Sequence, residues 1–403
     1  MYQQMGYNLP LLIAFFLPFG INYAIFILVW AVCFFAFDNV KLGMQGVFTN
    51  KWSFVLLAFF LIHVLGYFFS TNKSGALNAI EIKLSFLAFP ILIFASDYKD
   101  IQIKKILISF VSGCVLASFI NLFRAFYLYF FEDFNAFFYT EFSYFMHPSY
   151  FAMYLIFSLL IIMLFYPTWL INLSNLSVKI GFMSVIFLTS IFLCSSKMGL
   201  ITGLLLLPLT LAIILYQHGY KKIIAGLILT LILSIAVAYK LFPTPFERIK
   251  TALKVTSSTE MIDKTDAEST AVRILIWKES VKLIKENFVF GATAGDANDK
   301  LVESYEREGL AGALRKKLNA HNQFLQTFIG TGLIGFILLF LMTVGALIYG
   351  VLKKNYILTL FSVLIIFNFL VESMLQAQAG FIFFVFFFCF LTRYNFHKLT
   401  KVS

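Results

Sequence analysis

Six side chains able to bind phosphate or move a proton stand inside or beside apolar segments of this chain. Arginine and lysine hold phosphate groups, histidine exchanges a proton near neutral pH, and a carboxylate pairs with either. Charged groups are costly within a membrane and therefore indicate function by default. The six candidates are Arg124, His147, Lys197, Arg273, His321 and Glu372.

The composition indicates a membrane protein. Of the 403 residues, 61% are hydrophobic and 13% are charged, and the mean hydropathy is +0.88. A soluble domain has about 45–50% apolar and about 25% charged residues, so a single soluble fold is excluded. The net charge of +11 could indicate a polyanion partner. In a membrane protein, however, a basic excess often records topology, and we expect no nucleic-acid partner.

Twelve apolar segments are candidates for membrane helices, which need about 20 mostly apolar residues. They are 7–19, 21–37, 52–70, 80–96, 104–131, 148–166, 179–195, 198–216, 221–241, 323–350, 356–372 and 378–392. The sequence thus predicts an all-α polytopic membrane protein with about 12 transmembrane helices. Its parts are nine spans in 1–241, a large polar loop in 242–322, and three spans with a C-terminal tail in 323–403.

The basic residues predict the orientation of these spans. With a cytoplasmic N-terminus, the short outside loops hold only Lys73 and Lys197. Because cytoplasmic loops are enriched in Lys and Arg, both termini are predicted to be cytoplasmic and the large loop, in a bacterium, periplasmic. The cytoplasmic connections would hold 13 basic residues, which are Lys41, Lys51, Lys99, Lys104, Lys105, Lys179, Lys221, Lys222, Lys353, Lys354, Arg393, Lys398 and Lys401.

The large loop is predicted to be partly helical. Residues 270–289 repeat apolar side chains at helical spacing, and a second helix is expected over 299–318. The apolar face of the first helix consists of Val272, Leu275, Ile276, Leu283 and Ile284.

His321 ends this loop where the tenth span begins. The glycines that follow, Gly330, Gly332 and Gly335, spell GxGxxG. A dinucleotide site would need a strand before that motif, so we expect these small residues to allow close helix packing instead. From position alone, His321 could equally be a solvated surface residue.

Each of the other candidates also allows two interpretations. Arg273 begins the amphipathic helix, where free N–H groups favour an anion, although a solvated arginine would fit the composition. Lys197 follows two serines in a hairpin between apolar helices, and faces either phospholipid headgroups or a lipid-linked phosphate. For Glu81 and Lys83, at the start of the fourth span, a helix-packing salt bridge is the preferred reading.

By the predicted topology, all six candidates lie on the outer side of the membrane. Basic groups gathered there suit an anionic, lipid-linked substrate. The sequence has no recognised metal-binding pattern and no phosphate-binding loop for ATP. We therefore expect a reaction without metal, ATP or another cofactor.

Three motifs carry a family resemblance. They are Ser195-Ser196-Lys197-Met198-Gly199, Arg273-Ile274-Leu275-Ile276-Trp277, and His321-Asn322 with Gly332-Leu333-Ile334-Gly335 downstream. Together with the late, large outside loop, they resemble the O-antigen ligase and polymerase superfamily. One departure is Lys197, where the family usually has arginine. Lysine keeps the charge but loses the planar fork.

The resemblance implies a GT-C-like enzyme of the bacterial inner membrane. Such an enzyme moves a glycan from undecaprenyl diphosphate to a hydroxyl of a lipid A-core sugar or another glycan acceptor. On this reading Arg273 and Lys197 bind the diphosphate, with Arg124 a weaker candidate. His321 acts as the base or orients the acceptor. His147, Asn322 and Glu372 are expected to support the site or to bind the acceptor.

Other functions stay open at this point. A surface-polysaccharide polymerase and a protein O-oligosaccharyltransferase share the layout. A secondary transporter would need its site near the middle of the membrane, among broken helices. A membrane scaffold would give no reason for the aligned histidine and arginine residues.

Overall fold

The computed structural model describes residues 2–37, 40–169, 176–217, 219–220, 264–265, 270–394 and 396. These residues form helices and connecting turns, and none of them lies in a β-strand. The predicted all-α class is therefore confirmed.

Eleven α-helices precede residue 218 in the described part of the chain. They are α1 (Tyr2–Phe16), α2 (Ala24–Phe37), α3 (Val40–Thr49), α4 (Lys51–Phe69), α5 (Lys73–Lys83), α6 (Ser85–Phe94), α7 (Asp100–Phe131), α8 (Tyr139–Phe142), α9 (Pro148–Trp169), α10 (Leu176–Leu193) and α11 (Lys197–Gln217).

Seven further α-helices follow residue 269 among the described residues. They are α12 (Thr270–Glu286), α13 (Ala297–Glu308), α14 (Ala311–Lys316), α15 (Gln323–Phe340), α16 (Ala346–Leu352), α17 (Tyr356–Phe369) and α18 (Gln378–Arg393). A π-helical turn, Leu341–Gly345, joins α15 to α16, and a 3₁₀ turn, Met374–Gln376, precedes α18.

The helices confirm a polytopic membrane protein. Within the described residues, six helical segments are long and apolar enough to cross a membrane, and five shorter apolar helices accompany them. These eleven segments coincide with eleven of the predicted spans. The predicted span 221–241 lies outside the described residues. The six longer segments are Lys51–Phe69, Lys73–Phe94, Asp100–Phe131, Pro148–Phe165, Lys197–Tyr216 and Gln323–Leu352.

The membrane bundle is built around α18. Its phenylalanines are buried on every side of the helix, as expected for a helix that is hydrophobic all round. Phe387 packs edge-on against Phe110 of α7 and Phe157 of α9, with ring centroids 4.8 and 4.9 Å apart. Tyr154 of α9 donates a hydrogen bond to the carbonyl oxygen of Ala379, at 2.6 Å. The helix is thereby fixed against both α7 and α9.

A second hydrophobic core lies in the large loop. All five residues of the predicted apolar face of α12 are buried in it, which confirms the amphipathic reading. The single helix predicted over 299–318 is wrong, because the chain forms α13 and α14 instead. The break falls at Gly309, whose φ of +67° ends α13 in the left-handed region that glycine favours.

The tenth span is interrupted by a glycine. Gly332 has φ +62° and ψ −161°, so α15 consists of two helical pieces. The N–H of Leu333 donates to the carbonyl of Phe288, at 3.0 Å, and the N–H of Ala292 donates to that of Ile329, at 2.7 Å. The close neighbour of the glycine motif is therefore the backbone of 288–292, rather than another helix.

The piece of α15 before Gly332 packs with the large loop. Ile329 is buried in the second core, and Leu325 and Phe328 pack against that core. His321 consequently precedes a short helix that shares its packing with α12.

Most of the predicted outside segments meet at one end of the bundle, which we call the site end. It carries segments 70–72, 132–147, 195–197, 287–297, 319–322 and 370–377. Asp296 ties two of these segments together, because it accepts hydrogen bonds from the backbone N–H groups of Thr71 and Asn72, at 2.9 and 2.7 Å. The assignment of this end to the periplasm stays a prediction.

Candidate functional site

Glu372 brings two predicted site residues together. Its Oε1 lies 3.2 Å from Nη2 of Arg273, and its Oε2 lies 3.2 Å from Nδ1 of His321. Arg273 also donates from Nη1 to the carbonyl oxygen of Val371, at 2.9 Å. The three side chains are 21–31% exposed, so they are partly desolvated but reachable. One carboxylate thus aligns a cation and an imidazole.

Three separate elements supply these side chains. Arg273 lies in the first turn of α12, Glu372 follows the end of α17, and His321 lies two residues before α15. Asn322 connects two of the elements. Its Oδ1 accepts from the N–H of Leu325 and caps α15, while its Nδ2 donates to the carbonyl of Leu370, both at 3.1 Å. Asn322 therefore holds the start of α15 against the segment that carries Glu372.

The backbone at His321 is strained and tightly held. Its φ of +43° is left-handed, which costs a non-glycine residue about 1–2 kcal/mol. The His321 N–H donates to Oδ1 of Asn319, and Trp277 donates from Nε1 to the carbonyl of Ala320, each at 3.0 Å. The N–H of Ala320 donates to Oε1 of Gln326, at 2.9 Å. Strain of this kind persists where surrounding contacts fix the conformation, as they do here.

Two buried residues that the sequence analysis did not place in the site support the turn after Glu372. Gln323 accepts at Oε1 from the N–H of Leu375, at 2.7 Å, and Lys83 donates from Nζ to the carbonyl oxygen of the same residue, at 2.5 Å. The predicted salt bridge of Lys83 with Glu81 is wrong: Lys83 is buried against this turn, whereas Glu81 is exposed. The sequence does carry one signal for this position of Lys83, because a lysine within an apolar segment needs a buried partner.

His147 and Lys197 lie at the ends of neighbouring helices. His147 precedes α9, and Lys197 is the first residue of α11. The hydroxyls of Ser149 and Ser196 are 3.4 Å apart and join these two helix starts. Because the N-terminus of a helix favours anions, two such ends side by side add to the positive potential of the site end.

The charges of the site act on one another. Burial alone would raise the pKa of the Glu372 carboxyl. The hydrogen bond from His321, and the charges of Arg273 and His147, outweigh burial and hold that pKa below its ordinary value. Glu372 is therefore ionised and can only accept, so the proton of the shared hydrogen bond lies on Nδ1 of His321. In the neutral ring, Nε2 is left as the proton acceptor.

The pKa of His147 lies below its ordinary value. Burial lowers its pKa, Glu372 opposes that effect, and Arg273 and His321 add to it. Since these charges act on the imidazole of His147, it belongs to the same electrostatic site as Glu372.

Arg124 lies apart from this group. Its Nη1 donates to the carbonyl oxygen of Glu141, at 2.6 Å, and its guanidinium stands 4.8 Å from the ring centroid of Tyr144. In the part of the chain that the structure describes, it makes no hydrogen bond or ion pair with Arg273, His321 or Glu372. Arg124 holds the segment that leads to His147.

The fold and site define a polytopic membrane protein with a partly buried Arg–Glu–His group at one end of its helices. Residues 182–340 match the family described as O-Antigen ligase. This match supports the resemblance to the O-antigen ligase superfamily that the motifs carry. The matched region contains Lys197, Arg273 and His321. No curated protein matches the chain.

The family supports a function of the O-antigen ligase and polymerase type, carried out by a glycosyltransferase-like enzyme on lipid-linked glycans in a membrane.

Proposed function

We propose that this protein is an O-antigen ligase-like glycosyltransferase of the bacterial inner membrane. It transfers a glycan from undecaprenyl diphosphate to a hydroxyl of a lipid A-core sugar at the periplasmic face. The observation that carries the proposal is the contact of Glu372 with both Arg273 and His321. A phosphate-binding cation and a proton acceptor are then held side by side.

The donor diphosphate binds at Arg273 and Lys197. A guanidinium has five N–H groups, of which those facing Val371 and Glu372 use two in the described residues, so others can reach a phosphate. Preorganised cations stabilise the charge that develops on a leaving group. Arg124 is the third candidate for this role, at the edge formed by segment 139–147.

His321 activates the acceptor. The hydroxyl oxygen attacks the anomeric carbon of the glycan, its proton passes to Nε2 of His321, and the bond from that carbon to the diphosphate oxygen breaks. The diphosphate leaves with the electron pair. Glu372 orients the ring through Nδ1 and stabilises the imidazolium that forms, as a carboxylate does in other histidine-dependent sites. The activated donor supplies the energy, so neither ATP nor a metal ion is needed.

Reconstitution tests this proposal. The purified protein in liposomes is supplied with undecaprenyl-diphosphate-linked glycan and with lipid A-core as acceptor, with and without a chelator. We expect transfer that persists with the chelator and is abolished in His321→Ala, while that variant still inserts into the membrane. Normal product from His321→Ala would remove the histidine from the mechanism.

Gene deletion separates the related activities. Loss of a ligase leaves unsubstituted core and accumulated lipid-linked polymer. Loss of a polymerase leaves core that bears a single repeat, and loss of a protein transferase leaves lipopolysaccharide unchanged. An uptake assay on the same liposomes would reveal a transporter.

A further inference from the structure

His147 caps a helix. Its carbonyl oxygen accepts from the N–H groups of Tyr150 and Phe151, at 3.0 and 3.3 Å, and its Nδ1 accepts from the N–H of Ser149, at 3.4 Å. The backbone carbonyl of His147 thus accepts the first bonds of α9, and its side chain satisfies the N–H of Ser149, which the first turn of the helix cannot pair internally.

A capping imidazole must be neutral. A ring nitrogen that accepts a hydrogen bond carries no proton, and in a neutral imidazole the other nitrogen carries it. A protonated ring would also place its charge beside the positive end of the helix dipole. The cap thus leaves His147 with a single N–H donor, on Nε2.

The ring is fixed beside the site. It makes edge-to-face contacts with Tyr139 and Tyr150, with centroids 5.9 and 6.2 Å apart. The charged groups that act on it are Glu372, Arg273 and His321, and burial together with the last two lowers its pKa. Ser149, whose N–H it accepts, contacts Ser196 next to Lys197. The imidazole therefore lies within the electrostatic influence of Arg273, and the residue that it caps contacts the start of α11, where Lys197 lies.

We propose that His147 is a donor-binding residue, which gives a hydrogen bond from its neutral Nε2–H to the diphosphate of the lipid-linked substrate. This inference rests on the proposed function. The two histidines then have different roles, because His321 receives a proton from the acceptor, whereas His147 keeps its proton and binds phosphate. A neutral donor adds a directional contact without a further positive charge beside Arg273.

Two substitutions separate the cap from the donor. His147→Asn keeps a capping oxygen, which helix N-termini prefer, but its side chain is too short to place an N–H at the position of Nε2. His147→Gln places an amide N–H near that position and gives up the favourable cap. We therefore expect His147→Asn to keep the stability of the parent protein and His147→Gln to keep its affinity for the substrate.

The test measures the affinity for undecaprenyl diphosphate of the full-length protein in lipid nanodiscs. We expect His147→Asn to bind about 10-fold more weakly or worse, the effect of one hydrogen bond to a charged group, and His147→Gln to stay within about 3-fold of the parent. Asn135→Ala, in the same segment, is the matched control and should leave the affinity unchanged.

Unchanged affinity in His147→Asn would overturn the inference, and so would equal weakening in both variants. The proposed function can fail separately. In that case the parent protein would bind undecaprenyl diphosphate in a His147-dependent way but would transfer no glycan to any acceptor supplied.

Discussion

Nδ1 of His321 lies 3.2 Å from Oε2 of Glu372, although the two residues are 51 positions apart in the chain. Two membrane-spanning segments separate them, so only the folded bundle can bring them together. Because the carboxylate also contacts Arg273, it fixes the ring nitrogen that carries the proton and the position of the neighbouring cation at once.

Removing the charge of Glu372 should impair transfer without unfolding the protein. In Glu372→Gln an amide replaces the oxygen that stabilises the imidazolium, so we expect the rate to fall roughly 100-fold or more. Glu372→Asp should keep an intermediate rate. Initial rates of glycan transfer in liposomes measure the effect, with Glu303→Gln, in an exposed pair with Lys300, as the matched control. A rate for Glu372→Gln equal to that of the control would show that the bridge does not contribute.

Arg273→Lys should lower the kcat/KM of glycan transfer, although the substitution keeps the positive charge. Nη1 and Nη2 serve different partners, Val371 and Glu372, and one ammonium cannot keep both contacts and bind phosphate. We expect Arg273→Lys to lower kcat/KM about 10-fold or more, the loss of one charged hydrogen bond. Arg307→Lys, on the exposed face of α13, should leave it within error. Equal turnover of the two variants would favour the solvated reading of Arg273.

Asp296 should stabilise the attachment of the large loop in a pH-dependent way. Burial would raise the pKa of its carboxyl, but hydrogen bonds from Asn72, Thr71 and Thr293 outweigh burial and lower the pKa to about 2. A lowered folded-state pKa means that the stabilisation is fully present above the ordinary value of 3.8 and is lost as the pH falls from there through about 2.

We therefore expect Asp296→Asn to lower the stability of the loop by about 1–3 kcal/mol at neutral pH, because the amide cannot accept all of these bonds. Thermal melts from pH 8 down to pH 3 check this expectation. The difference between parent and variant should be constant above pH 5 and should shrink only at the acid end. A difference that disappears between pH 8 and pH 6 would point to another group.

Gly332→Ala should disrupt the junction between the large loop and the tenth span. An added Cβ would lie 2.2 Å from the carbonyl oxygen of Val289, and the left-handed φ alone costs alanine about 1–2 kcal/mol. We expect a lower melting temperature in detergent and reduced transfer. Gly203→Ala, whose Cβ would meet only Ile156 at an ordinary 3.8 Å, is the control. A variant at 332 as stable as the one at 203 would argue against a strict glycine requirement.

Much of the fold could be predicted from local patterns in the sequence. Apolar runs give the spans, and the apolar repeat of α12 gives its buried face, because both signals come from neighbouring residues. Arg273 and His321 could be singled out since their types and positions were unusual. Their contact with Glu372 could not, because it depends on how distant helices pack.

The breaks in the helices were harder to foresee. Gly309 and Gly332 both sit in stretches that read as helical, and glycine alone does not say whether a helix bends, packs or ends. Lys83 was misassigned for a similar reason: Glu81 is its neighbour in sequence, but the carbonyl of Leu375 is its neighbour in space.

The packing of α12 with the first piece of α15 has a mechanical consequence. The second core contains Val272 beside Arg273 and Ala320 beside His321, so the spacing of cation and base is set by one hydrophobic unit. The segment that carries Glu372 is held to the same unit, because Asn322 donates to the carbonyl of Leu370 and Arg273 donates to that of Val371. Cation, carboxylate and base therefore depend on the packing of one hydrophobic core, and a substitution that loosens this core should act on all three together.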